Sequence, residues 1–305
     1  MTPERFEFTV EKTGERLDKL VVARVPGLSR SQVQAMIKDG QITVDDAQVK
    51  AGVKLRGGEQ IVVIVPQAET ETEPEPEDIP LDVIYEDEHI AVIDKPAGMV
   101  IHPASGHQSG TLVNALLARW PQIAQMDDPE GRNGIVHRLD KDTSGVIVIA
   151  KTEDTLEDLM WQFQERVVDK AYIALLERRP QTDTGRIDAP IGRDPKQRKR
   201  MAVVRDGRES VTEFNVLDDD FRDGQALVEF DLLTGRTHQI RVHAAFINCP
   251  VVGDRVYGYR KQRMKLKRNF LHAARIAFDH PDSGERVSFE APLPIALQQI
   301  MQKLR

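Results

Sequence analysis

The stretch His137–Lys151, HRLDKDTSGVIVIAK, governs how the rest of the chain is read. A loop of charged and small polar residues runs directly into a nearly all-apolar strand, Val146 to Ala150. A polar loop anchored on a rigid strand is where functional side chains collect. Outward from it, strand-like runs at Asp82–Tyr85, Ile90–Asp94, Lys170–Leu176 and Leu227–Leu233 alternate irregularly with helical patterns. The clearest helix is expected over Glu153–Val167, where Leu156, Leu159, Met160, Phe163 and Val167 fall on one stripe and mark a core-facing side. No repeat of solenoid spacing is present. The missing βαβ rhythm favours an α+β domain built on a mixed or antiparallel sheet over a Rossmann-type fold.

By its letters alone, HRLDKDTSG supports more than one chemistry. A protein-kinase catalytic loop also carries His-Arg and Asp, but there Asp follows Arg directly, whereas Leu139 intervenes here, and the chain has no GxGxxG, P-loop or DFG. A metal site is not expected. His238 and His243 are close in sequence, but five residues apart on a helix they point in different directions. Arg138, Asp140 and Asp142 forming a salt-bridged, capped loop remains open at this point.

With 305 residues, the chain has room for an enzyme core and a small accessory domain. No apolar run approaches the roughly 20 residues needed to cross a bilayer, and MTPERFEFTVEK lacks the apolar core of a signal peptide, so a cytoplasmic location is expected. Cys249 lies among apolar residues in AAFINCPVV and reads as a buried bystander. A formal net charge of −7 argues at face value against a polyanionic partner. That average misleads, because ETETEPEPED (Glu69–Asp78) concentrates six acidic residues while Lys and Arg cluster elsewhere. With Pro74, Pro76 and Pro80 and no hydrophobic residue, this segment reads as an extended, self-repelling linker over 67–80. It separates a domain over 14–66 from one over 81–305.

The first of these is read as a compact unit. A helix is expected over Arg16–Val25, stopped by Pro26-Gly27. A second helix, capped by Ser29 or Ser31, carries the stripe Val33, Met36 and Ile37 and ends at Gly40. Strands follow at Gln41–Val44 and Gln60–Val65. Through RLD, LSRSQVQAMIKDG, ITVDD and LRGGEQIVV the unit resembles the S4-like RNA-binding domain, a small α+β module. The resemblance implies that Arg16, Arg30 and Lys38 face RNA. It departs at VDDAQ, where the family usually has a glycine-bearing turn and this chain has Asp45-Asp46.

HRLDKDTSG itself closely matches the signature of the RluA/RluD-type pseudouridine synthases. The likeness continues, in order, through DKPAGMVIHP (Asp94–Pro103), GTLVNALL (Gly110–Leu117), KAYIALL (Lys170–Leu176), LLTGRTHQIRVH (Leu232–His243), GDRVYG (Gly253–Gly258) and LHAARIAFDHP (Leu271–Pro281). It implies the pseudouridine synthase fold, isomerisation of uridine in RNA without any cofactor, and Asp140 as the essential carboxylate. The reaction breaks the C1′–N1 bond, turns the uracil and rejoins it through C5. A carboxylate serves either by attacking C1′ or by removing a sugar proton. Either way it must stay ionised where water is excluded, and a buried cation makes that possible.

By resemblance that cation is Arg241. On a helix beginning near Thr237, Ile240, Ala244 and Ile247 make one stripe, leaving His238, Arg241 and Ala245 on a neighbouring face. The resemblance likewise assigns Tyr172 to stacking on the target base and Arg138 to displacing the nucleotide from its helix. His137 and Arg236, in the same blocks, are assigned to RNA contact. Two basic runs add candidates: RDPKQRKRMAVVRDGR, with Arg198, Lys199 and Arg200 at its centre, and YGYRKQRMKLKR, with Tyr257 and Tyr259 as stacking aromatics. The expected partner is RNA, most naturally large-subunit ribosomal RNA, with no membrane and no nucleotide cofactor. A catalytically idle ribosome-assembly factor, a tRNA-directed synthase and a hydrolytic glycosidase are the rivals; the last would need a second carboxylate, for which Asp142 is nearby.

Overall fold

The computed structural model describes the chain except for residues 1–3, 66–73, 104–106, 129, 198–199, 262–263 and 265. It divides into two compact units, residues 1–73 and 74–305.

In the first unit, helices α1 (Leu17–Arg24) and α2 (Arg30–Lys38) pack on a sheet ordered β1 (Glu4–Thr9), β3 (Gln60–Val65), β2 (Ile42–Val44). Ser29 caps α2 in a capping box with Gln32, satisfying two otherwise unpaired amides. Leu17, Val21, Val33, Ile37, Ile42, Ile61 and Val63 close the core. Strand β1 lies before the expected boundary at residue 14 and pairs with β3 along its whole length. Asp45 and Asp46 both take left-handed backbone, φ +48° and +59°. They form the two-residue turn between Val44 and Ala47. Asp tolerates that region better than most residues, and the Asp45 carboxylate also accepts the Gln60 amide at 2.8 Å.

Of the acidic segment, 67–73 lies outside the described residues. The rest is extended and docked on the second unit: Asn114 donates to the Glu75 carbonyl at 2.7 Å, and Glu77 accepts the Gly110 amide at 2.9 Å.

The second unit is built on one nine-stranded sheet. Its order is β4 (Val83–Glu86), β5 (Ile90–Lys95), β6 (Ser144–Ala150), β13 (Leu271–Asp279), β7 (Asp169–Leu176), β12 (Ala226–Leu232), β11 (Val211–Asp218), β8 (Thr184–Asp188), with β14 (Arg286–Glu290) on β13. Only β6 and β13 run parallel; the other neighbours are antiparallel, so the sheet is mixed. A small ribbon, β9 (Ile191–Arg193) with β10 (Met201–Val203), stands apart. Helices α3 (Leu112–Arg119), α4 (Glu153–Glu165), α5 (Gln239–Phe246) and α6 (Ile295–Leu304) complete it. Every residue of β6 is buried. Ile147 and Ile149 face one core and Val146, Val148 and Ala150 the other, which is why the run reads as continuously apolar.

Helix α4 ends earlier than its stripe. Arg166 turns left-handed, φ +63°, after Glu165, and Val167 is exposed instead of packed. Leu156 and Leu159 carry the packing, each worth about 2–5 kcal/mol on truncation to alanine.

Candidate active site

The loop His137–Thr143 reaches the start of β6 beside the start of β13, and it is braced from below. Lys95 is fully buried, and its ammonium donates to the carbonyls of Pro96 at 2.8 Å and Met99 at 3.0 Å. Burial pushes Lys95 down to about 8, with Arg268 adding to the shift. The Gly98 amide donates to the Lys141 carbonyl at 2.7 Å, and Thr143 closes a turn onto the Asp140 carbonyl. The Lys95 ammonium also lies 3.4 Å from the Lys141 carbonyl, so it ties the Pro96–Met99 turn to the backbone just after Asp140.

Asp140 lies in the wall of a pocket of about 630 Å³, within the size range of small-ligand sites. Arg138, Tyr172, Arg236 and Arg241 line the same pocket, with His102, Phe163, Lys170, Leu233 and His238. Residues expected at one site from three separate blocks are thus brought together. Asp140 is the only carboxylate among the described lining residues. Against it stand Arg132, Arg138, Arg166, Lys170, Arg208, Arg236 and Arg241. A chain that is acidic on average therefore holds a strongly cationic cavity.

Arg241 is buried and donates from Nη1 to Asp140 Oδ2 at 2.8 Å. It also meets a second carboxylate. Nε and Nη2 donate to Asp254 at 2.6 and 3.1 Å. Burial works against the Arg241 charge, but the Asp254 hydrogen bonds and charge, and then Asp140, raise its affinity for the proton overall. For Asp254, burial favours the neutral acid; Arg241 and the amides of Tyr257 and Val256 outweigh it and hold the carboxyl below its ordinary range. Helix α5 begins at Gln239, with His238 as a left-handed N-cap, and Gln239 to Ala244 are all buried, so Arg241 projects from a packed helix. The sequence did not single out Asp254. The hint was stoichiometric, since a guanidinium fork buried beside one carboxylate leaves donors unsatisfied, and GDRVYG offered the second.

Tyr172 lies mid-strand on β7, paired with Phe230 and Ala273. Burial, with the Asp140 charge, raises its phenol above the usual value, so it is a neutral ring in the pocket wall. Lys170, two residues earlier on the same face of the strand, has burial pushing it down to about 8. Arg138 is exposed at the rim. Arg236 donates to the Glu209 carbonyl at 3.1 Å.

His137 is engaged structurally. Its Nε2 accepts the Val148 amide at 3.0 Å, and its ring stacks on Phe163 at 4.8 Å. Burial, helped by Lys170, drives it down to about 3, so it is a neutral acceptor that ties the loop to β6. His243, once weighed with His238 for a metal, bonds Thr212 at 2.8 Å and the Ala189 carbonyl at 2.9 Å within the core.

The basic runs divide differently from expectation. Arg198 and Lys199 lie outside the described residues. Arg200 stacks over the Tyr257 ring at 5.1 Å, and Arg241 lies 5.1 Å from the same ring. Tyr257 is therefore buried, with two guanidiniums against its ring, and is not free to stack on a base. The Tyr259 hydroxyl is bound to the Asn248 carbonyl. In the first unit, Arg16 and Arg30 both grip the fully buried Asp18 at 3.0 Å, joined by Gln34. Their side chains keep 41% and 51% of their surface, while Lys38 is exposed beside a shallow groove with Gln34, Gln48 and Lys50.

With this geometry in place, the comparisons with known proteins agree. Residues 89–246 match the RNA pseudouridylate synthase family, and residues 15–61 match the S4 domain. The chain is 46% identical to an uncharacterized RNA pseudouridine synthase of Bacillus subtilis (strain 168), over 97% of this chain and 96% of that one. It is 43% identical to the ribosomal large subunit pseudouridine synthase D of Neisseria meningitidis (serogroup A), over 100% and 83%. Among solved structures, the human RNA pseudouridylate synthase domain containing 1 aligns with a TM-score of 0.58 and 28% identity, over 75% of this chain and 96% of that one.

Proposed function

The chain belongs to the RNA pseudouridylate synthase family, and on that premise we propose that it isomerises uridine to pseudouridine in large-subunit ribosomal RNA, with Asp140 as the working carboxylate. The observation that carries this reading is the Asp140–Arg241 ion pair, set as the single carboxylate in an otherwise cationic pocket. Arg241 places a countercharge against Asp140 through a charge-assisted hydrogen bond. The surrounding arginines and Lys170 take the phosphates on either side of an extruded nucleotide. Tyr172, a neutral ring at the pocket wall, takes a face of its uracil.

Both routes open to a carboxylate, attack at C1′ and removal of a sugar proton, require this placement beside the ribose. Hydrolysis in the glycosidase manner would use a second carboxylate. Asp142 is exposed and does not line the pocket, which supports isomerisation. Large-subunit RNA as the substrate rests on the relatives of that name, which match along nearly the whole chain. The S4 unit then adds a second RNA contact through Arg16, Arg30 and Lys38. We place the reaction in the cytoplasm, where ribosomal RNA is available; no helix among the described residues is long and apolar enough to cross a membrane.

The test is pseudouridine mapping of total RNA from cells with and without the gene. The expected result is loss of discrete pseudouridines from large-subunit RNA, restored by the wild-type chain and not by Asp140→Asn. Loss confined to tRNA would overturn the substrate, and an unchanged map would overturn the function.

A further inference from the structure

His238 enters α5 from the left-handed region, φ +60°, which a non-glycine residue adopts only where its surroundings hold it. What holds it is Tyr257. His238 Nδ1 lies 2.8 Å from the Tyr257 hydroxyl, and the same oxygen accepts the Met201 amide at 3.0 Å. With the amide already donating to it, the hydroxyl has its own proton to give, and Nδ1 is the acceptor. The imidazole is thereby fixed as the tautomer protonated at Nε2. Tyr257 is itself held, buried with the guanidiniums of Arg200 and Arg241 against its ring.

Burial keeps His238 below the ordinary histidine range, against the pull of Asp140, so near pH 7 its Nε2–H is a neutral donor. That donor lines the pocket. It stands 3.8 Å from Asp140 Oδ1, too far for a hydrogen bond between them. We propose that His238 Nε2 and Asp140 Oδ1 together hold the ribose 2′-hydroxyl of the target nucleotide, which sits to one side of the line joining them, at hydrogen-bond distance from both, accepting from His238 and donating to Asp140.

The chemistry of the pair selects that group. Its two members are a donor and an anionic acceptor, so the bridging atom must both accept and donate. A hydroxyl does this. A uracil carbonyl only accepts, and a phosphate oxygen would add a second negative charge beside Asp140. The 2′-hydroxyl also adjoins C1′, so seating it there brings the reacting carbon alongside the carboxylate. Hydrogen bonds to this hydroxyl strengthen as a glycosidic bond breaks, and it is the group that separates RNA from DNA. This inference rests on Asp140 as the carboxylate that works on the target ribose.

The test compares single-turnover kcat/KM on two hairpins that differ only in uridine or 2′-deoxyuridine at the modified position. Wild type is measured beside His238→Asn, which tolerates the left-handed backbone but is too short to reach, and Tyr257→Phe, which keeps the ring and frees the tautomer. Wild type is expected to favour the uridine hairpin by about tenfold or more, the effect of one hydrogen bond left unmade. In His238→Asn the preference shrinks by up to about tenfold, through loss on the uridine hairpin alone, and keeps the part that the hydrogen bond to Asp140 contributes; Tyr257→Phe falls between. If the deoxy hairpin is inert with every enzyme, its inhibition constant must be the same for wild type and His238→Asn while kcat/KM on uridine differs tenfold. A preference unchanged in His238→Asn, an equal loss on both RNAs, or no preference in wild type overturns the proposal. Wild type forming no pseudouridine in any RNA would instead overturn the functional reading beneath it.

Discussion

Asp254 grips Arg241 at two nitrogens, Nε at 2.6 Å and Nη2 at 3.1 Å, and so fixes the plane of the guanidinium from the side away from Asp140. Asp254 is itself held, since its Oδ1 accepts the Val256 amide at 2.8 Å and the Tyr257 amide at 2.9 Å. Asp254→Asn keeps the shape but removes the charge. Arg241 then has Asp140 as its remaining carboxylate within bonding distance and is drawn toward it, shifting the carboxylate that we propose does the chemistry. The expected loss is about 10–100-fold in kcat, the usual effect of removing an outer-shell carboxylate, with KM changed a few-fold at most. Breaking a buried pair also costs about 3–5 kcal/mol, so the melting temperature should fall by roughly 10 °C. Steady-state kinetics beside a thermal melt checks both; an unchanged kcat with a lowered melting point would make Asp254 purely structural.

His137 gives the fold an acid-sensitive element. Burial, with help from Lys170, takes its folded-state value from an ordinary 6.5 to about 3. Between those two values the unfolded chain binds a proton that the folded chain refuses, so stability falls as pH drops from about 6.5 toward 3, and none of it is lost above 6.5. The slope is about 1.4 kcal/mol per pH unit for one proton. Replacing His137 by Gln keeps an acceptor for the Val148 amide and removes the titration. Chemical denaturation from pH 7 to pH 4 should show a slope shallower by about one proton in the variant. An identical slope would mean that other buried histidines, such as His243 and His272, carry the effect.

What could be read from the sequence follows physical range. Strands β5, β6 and β7 and helix α4 announce themselves because apolar burial on a fixed period is a local signal. Asp140 and Arg241 came from motif likeness, and the structure puts their charged atoms 2.8 Å apart across 101 positions of chain. Strand β1 was missed because only every second residue of ERFEFT is partly covered, and its pairing partner β3 lies more than fifty residues away. Tyr257 misled because an aromatic beside a basic run has the letters of a base-stacking site, whereas the fold buries it and packs Arg200 and Arg241 against its ring. His238 and Asp254 were legible as letters within quoted blocks, but their roles depend on where α5 meets the Asp254 turn. No spacing rule carries that.

Asp18 is the corresponding point in the first unit. It is fully buried yet charged, and Arg16, Arg30 and Gln34 together satisfy it. Burial opposes its charge, but the Arg16 hydrogen bond leads a set of partners that holds it far below the usual carboxylate range. Asp18→Ala should loosen α1 against α2 and misorient two of the three candidate RNA contacts. In the full chain, kcat on a minimal hairpin should stay within about twofold, while affinity for ribosomal RNA falls about tenfold, the scale of one or two lost phosphate contacts. Loss of turnover on the hairpin would contradict that division between the units.

Gly145, the last residue of the HRLDKDTSG loop and the second of β6, has φ +117°. A Cβ placed there would lie 2.1 Å from the Ala273 carbonyl oxygen and 2.7 Å from the Ala273 nitrogen. Those atoms belong to β13, which pairs with β6 in parallel through His272–Ser144 and Ala273–Gly145. Neither strand can give way, because β6 is buried on both faces and β13 is paired on its other side to β7. Gly145→Ala must therefore combine backbone strain of about 1–3 kcal/mol with overpacking of about 1–3 kcal/mol, at the strand that anchors the Asp140 loop. The appropriate control is Gly224→Ala, which also has positive φ, +74°, but has nothing within 4 Å of the added Cβ. Melting curves and pseudouridine formation measured together should show Gly145→Ala strongly destabilised and inactive, and Gly224→Ala active with a loss of about 1 kcal/mol. Equal effects of the two substitutions would mean that φ alone, and not the close approach of β13, makes glycine necessary behind the catalytic loop.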